Sequence, residues 1–71
     1  MLSSNYKINL IGGSCLEGVE VYELEAERIV QRLKALGPGD LLQIDFPSGI
    51  QVHIPCWQIL SIENTPAVEV G

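Results

Sequence analysis

A chain of 71 residues lies near the lower limit at which one domain buries enough apolar surface to fold alone. Its 46% apolar content separates it from disordered chains, which combine low hydrophobicity with high charge, and its apolar runs are too short to cross a bilayer. Nine acidic residues against four basic ones give a net charge of −5, which argues against the basic groove that binding to a phosphate backbone requires.

In chain order, Tyr6 to Ile11 alternates, with Tyr6, Ile8 and Leu10 on one face, and reads as a strand. Gly12-Gly13-Ser14 supplies a turn, and Val19 to Leu24 is β-branched and aromatic enough for a second strand. Ser14 to Gly18 extends that strand or bulges from it, and the pair forms an antiparallel hairpin. From Glu25 the period changes. Ala26, Ile29, Val30, Leu33 and Leu36 follow one helical face, so a helix is predicted over 25–36. Acidic residues in its first turn and Arg32 and Lys34 near its end suit the helix dipole. Gly37 is expected as the C′ residue before Pro38-Gly39, whereas no Ser, Thr, Asp or Asn stands ready to cap the start.

The second half repeats the strand pattern. Leu42, Ile44 and Phe46 alternate, Pro47-Ser48-Gly49 turns the chain, and Ile50, Val52 and Ile54 alternate again. Pro55 ends or bends that strand, Cys56 to Ile59 fits a single helical turn, and Leu60 to Glu63 returns to an extended form. The fold class expected is α+β, in the order β-β-α-β-β(-β), with an antiparallel sheet or a small bent barrel. Residues 1–66 make one domain and 67–71 a short flexible tail, in which Val68 and Val70 are able to pair with another strand.

Ile11, Leu24, Leu41 and Trp57 fall out of phase with the main apolar sets, and one helix cannot cover both faces of such a sheet. A contiguous apolar remainder marks an interface, so a homo-oligomer, a twofold dimer, is expected. A small ligand held between subunits is a variant of the same expectation.

Few residues suggest chemistry. His53 is the only histidine and lies on the polar face of its strand with Gln51. Cys56 is its nearest partner, but no third group is marked to orient the pair. Cys15, Cys56 and His53 lack the paired spacing of a structural zinc site, and the two cysteines read as small buried hydrophobes. Gly12-Gly13-Ser14 is followed by a strand, which fits neither a nucleophile elbow nor a phosphate loop. No catalytic residue, cofactor or metal is therefore expected. Glu17, Glu20, Glu23, Glu25 and Glu27 form the densest charge cluster, which serves either as a solvated edge or as an acidic patch for a basic protein. Trp57 fits a binding hot spot as well as a core plug. Glu17, Glu20, Glu23, Trp57 and His53 are the candidate interaction residues.

The run Leu42 to Glu63, with Ile50-Gln51-Val52-His53-Ile54-Pro55 followed by Ile59-Leu60-Ser61-Ile62-Glu63, resembles the tail of Sm-like and other small β-barrels. The similarity covers about a third of the chain and carries over no residue of that family's RNA site. It implies a nucleic-acid-associated small barrel as the second reading. The first is a non-enzymatic interaction or regulatory module acting as a homo-oligomer. The start, Met1 to Lys7, lacks the basic flank and apolar core of a signal peptide, so a cytoplasmic protein with no membrane contact is expected.

Overall fold

Residues 1–70 are described by a computed structural model. Two antiparallel sheets enclose the core, and they do not close into a barrel. The larger sheet is built on β1 (Leu2–Leu10), flanked on one side by β2 (Cys15–Tyr22). Its other side is shared by β5 (Ile59–Asn64) and, beyond Thr65-Pro66-Ala67, by β6 (Val68–Glu69). The smaller sheet is the hairpin of β3 (Leu41–Asp45) and β4 (Gln51–Pro55). A single helix, α1 (Ile29–Lys34), lies between the two hairpins in sequence. No helix among the described residues is long and apolar enough to cross a membrane.

Alternation builds the core. Tyr6 and Ile8 of β1, Leu42 and Ile44 of β3, Ile54 of β4 and Ile29 of α1 are buried together, with Leu10, Leu16, Leu36, Phe46, Val52, Ile59 and Ile62 packed around them. Both hairpin turns use glycine where the backbone requires positive φ: Gly12 and Gly13 at 98° and 90°, and Gly49 at 90°. After β4, Cys56–Gln58 forms a single 3-10 turn, as the sequence suggested, and feeds β5 back along β1.

Three expectations change. The helix does not run over 25–36. Glu25–Glu27 forms a separate 3-10 turn, Arg28 is extended at φ −62° and ψ 144°, and the α-helix begins only at Ile29. With no local cap available, the Ile29 N–H is met instead by the Glu20 carboxylate of β2 at 2.8 Å, and the helix starts where that acceptor stands. Gly37 does not take the left-handed conformation of a C′ residue; its N–H donates to Asp40 Oδ2 at 2.7 Å. The second strand is shifted: it includes Cys15 to Gly18 and ends at Tyr22, because Glu27 draws the next residues aside by accepting the N–H groups of Leu24 at 2.7 Å and Glu23 at 3.3 Å. The tail residues Val68 and Glu69 pair with Ser3 and Leu2.

Gly18 is needed for a close approach rather than for a turn. It faces Tyr6 across the β1–β2 ladder, and a Cβ there would stand 2.6 Å from Tyr6 Cζ. Tyr6 therefore lays its ring across β2 at the one position without a side chain. Gly18→Ala is expected to lower stability by about 1–3 kcal/mol through overpacking, read from urea unfolding. In a Tyr6→Leu background the same change is expected to lose most of its effect; equal losses in both backgrounds would show that the two residues do not compete for space.

Candidate interaction surfaces

The acidic cluster read from the sequence is divided by the fold into separate tasks. Glu20 points inward, its side chain only 9% exposed. Its Oε1 accepts from Ser4 Oγ at 2.9 Å and its Oε2 from the Ile29 N–H, and the Arg28 Nε stands 3.6 Å from Oε1. Arg28 continues the network, donating from Nη2 to Asn64 Oδ1 at 2.7 Å and to the Thr65 carbonyl at 3.0 Å, and from Nη1 to Glu25 at 3.2 Å. Its guanidinium also lies 5.6 Å from the centre of the buried Tyr22 ring. Asn64 closes the circuit by donating to Ser4 Oγ and to the Asn5 carbonyl. Glu25 and Glu27 are thus engaged in an ion pair and a cap, while Glu17 and Glu23 remain exposed.

His53 is exposed on β4 opposite Gln43. Trp57 is 61% exposed on the 3-10 turn, and Leu41, Ile11 and Leu24, the other residues out of phase with the core, are exposed as well. Cys15 is exposed and Cys56 partly so, both as free thiols, in place of the buried packing expected for them. The acidic edge, His53 and Trp57 are therefore not brought into one site.

What the sequence did not single out is the outer face of the larger sheet. Register places Val21 opposite Ser3 and Val19 opposite Asn5, with Val68 on the far side of Ser3. The Val70 N–H donates to the Met1 carbonyl, extending the same row. Val19, Val21, Met1, Val68 and Val70 are 60, 56, 56, 62 and 39% exposed, and they surround the small Ser3 side chain on one surface. The other half of that face is polar. Lys7 lies between Glu17 and Glu63 in register, and Asn9 donates to Ser61 and Glu63 at 3.0 Å each. Alternation in β2 carried the signal, since Val19 and Val21 share a face with Glu17. Without the partner strand, however, two apolar faces in one strand left the choice of inner face open.

A cleft of about 520 Å³ opens between β2 and β3, walled by Val19, Val21 and Ile44 and floored by Tyr6, Ile29 and Arg32. Burial pushes the Tyr6 phenol above its ordinary range, the Glu20 charge adds to this and Arg32 opposes it. Of the four basic residues, Arg28 is held in the buried network, Arg32 donates to the Gln43 carbonyl at 3.0 Å, and Lys7 is flanked by two glutamates; Lys34 is left exposed at the end of α1. No family model, curated protein or solved structure matches the chain.

Two outcomes test this arrangement. Glu20→Leu is expected to cost about 1–3 kcal/mol by leaving Ser4 and the Ile29 N–H without their acceptor, whereas Glu17→Leu stays within about 0.5 kcal/mol; chemical denaturation compares them. The raised Tyr6 pKa means that the fold favours the neutral phenol. Its contribution is complete below the ordinary value near 10 and is lost as pH rises through the folded value. Stability measured above about pH 10 should fall less steeply for Tyr6→Phe than for the natural chain, and equal slopes would contradict the assignment.

Proposed function

We propose that the chain is a non-enzymatic interaction module that works as a homodimer, with the apolar half of its outer sheet face as the contact. The observation that carries this reading is the patch of Met1, Val19, Val21, Val68 and Val70 around Ser3, spread over three adjacent strands. Contiguous apolar area of this kind on a small domain marks an interaction site. The balance of the chain points the same way. Among the described residues seven apolar side chains are buried in the core and eleven large ones are exposed, a poor ratio for a domain that must stabilise itself alone.

A twofold axis through the patch sets the same surface of each copy against the other, as closed dimers require. It places the polar half of the face, with Lys7, Glu17 and Glu63, at the rim, where charge stays hydrated. A non-enzymatic role is supported by His53, which is exposed and faces Gln43 rather than a carboxylate that would orient it.

Native mass spectrometry across the micromolar range is expected to give a dimer. Replacing Val21 and Val68 together by Asp is expected to give a monomer with unchanged circular dichroism, while Trp57→Ala leaves the dimer intact. A natural chain that stays monomeric throughout, or a double variant that stays dimeric, would remove this surface from consideration.

A further inference from the structure

The gap between the two sheets is bordered by two unpaired strand edges, and the phase of each ladder shows which groups face it. The Leu10 N–H donates to the Ser14 carbonyl at 2.9 Å, so Ile8–Leu16, Tyr6–Gly18 and Ser4–Glu20 are the hydrogen-bonded pairs of β1 and β2. Val19 and Val21 lie between them and direct their N–H and C=O groups away from β1. In the smaller sheet, the Phe46 N–H donates to the Ile50 carbonyl at 2.9 Å, so Ile44–Val52 and Leu42–Ile54 are the bonded pairs. Leu41, Gln43 and Asp45 then point their backbone groups away from β4. The Arg32 bond to the Gln43 carbonyl falls on that outward edge, as this phase demands. Val19 and Val21 line the cleft on one side and Ile44 and Asp45 on the other.

We infer that this cleft is a slot for an extended peptide segment of a partner protein, one that alternates apolar and basic side chains. An added strand hydrogen-bonds to the outward groups of Val19 and Val21 on one side and of Asp45 on the other, which is strand addition at two edges at once. Its apolar residues face Tyr6 and Ile29 on the floor and Ile44 on the wall. The charge of the slot selects the basic residues: Glu27 and Asp45 line it against Arg32, while the Glu20 carboxylate is already paired with Arg28. The same charge disfavours a second copy, because each chain carries −5 and its Arg28 and Arg32 are already engaged. The inference rests on the reading of the chain as an interaction module; it uses the outward backbone edge of Val19 and Val21, whose side chains belong to the dimer patch.

The test is fluorescence anisotropy with a labelled peptide of alternating valine and lysine about as long as β3, and with its valine–glutamate counterpart. The valine–lysine peptide is expected to bind saturably and at least about tenfold more tightly. Asp45→Lys is expected to weaken it by a similar factor. Asp45→Pro removes an outward N–H without breaking the β3–β4 ladder and is expected to do the same, with circular dichroism confirming that the fold persists. A Val68→Asp/Val70→Asp chain, changed in the dimer patch but not in the slot, is examined beside them through amide shifts, and Gln43 and Asp45 are expected to respond to the peptide whether or not the chain dimerises. Absence of saturable binding, equal binding of both peptides, or indifference to both Asp45 changes overturns the slot while leaving a dimer untouched. Dissociation of the dimer by the peptide overturns it too, since a second copy would then be the occupant. A monomeric natural chain that binds the peptide overturns the dimer alone.

Discussion

The fold turns on one carboxylate. Glu20 sits on β2, yet it receives Ser4 of the neighbouring strand, the first N–H of α1 and the flank of Arg28. Through Arg28 and Asn64 it reaches the end of β5 and the Thr65 carbonyl. A carboxylate with this little exposure is tolerated when hydrogen-bonded and paired, and here both conditions are met by other elements of the fold. The network stands in for what the chain lacks locally. Six residues of α-helix with no N-terminal cap would not persist alone, since isolated helices of that length are marginal in water. Glu20 supplies the cap from across the sheet and so fixes where the helix begins.

Such anchoring has a structural consequence. Holding the helix start against β1 and β2 leaves α1 to cover the inner face only, so the outer face of the larger sheet meets solvent. Nature commonly makes such a face polar, as the half around Lys7, Asn9 and Glu63 is. The half around Ser3 is not. Its apolar residues come from β2, from the short β6 that the tail contributes, and from Met1 and Val70 beside β1 and β6, and their adjacency is a product of register rather than of sequence proximity. The proposed dimer contact is therefore a property of the assembled sheet and not of any local motif.

Legibility in the sequence followed the range of the forces involved. Strands β3 and β4 were readable because their alternation and the Pro47-Ser48-Gly49 turn are local facts, and the 3-10 turn followed from Pro55 and the spacing after it. The α+β class was readable for the same reason. Periodicity alone predicts too long a helix because Ala26 and Leu36 fit its period, and it does not register that Arg28 must extend to reach Asn64 and Glu25. The acidic cluster was visible as composition, but its division into a buried anchor, an ion pair, a cap and two residues outside these contacts depends on contacts up to 16 positions away along the chain. The apolar outer patch was legible only as an excess of hydrophobic residues, because the pairing of Ser3 with both Val21 and Val68 is invisible until the sheet is assembled.

The open state of the molecule has a cause of its own. To join the two sheets across the cleft, β2 and β3 would have to exchange hydrogen bonds, and each edge carries an obstruction. Tyr6 crosses over Gly18 and fills the space beneath the β2 edge, while Arg32 takes the Gln43 carbonyl that a β2 donor would need. Closing the barrel would free Arg32 from its acceptor in a partly buried site, where losing a charged hydrogen bond is expensive. A strand from elsewhere meets less resistance, because it can register on Asp45 and leave the Arg32 bond in place. The residues that keep the two sheets apart therefore also border the gap between them, and a module that closed there would have lost the two edges that line it.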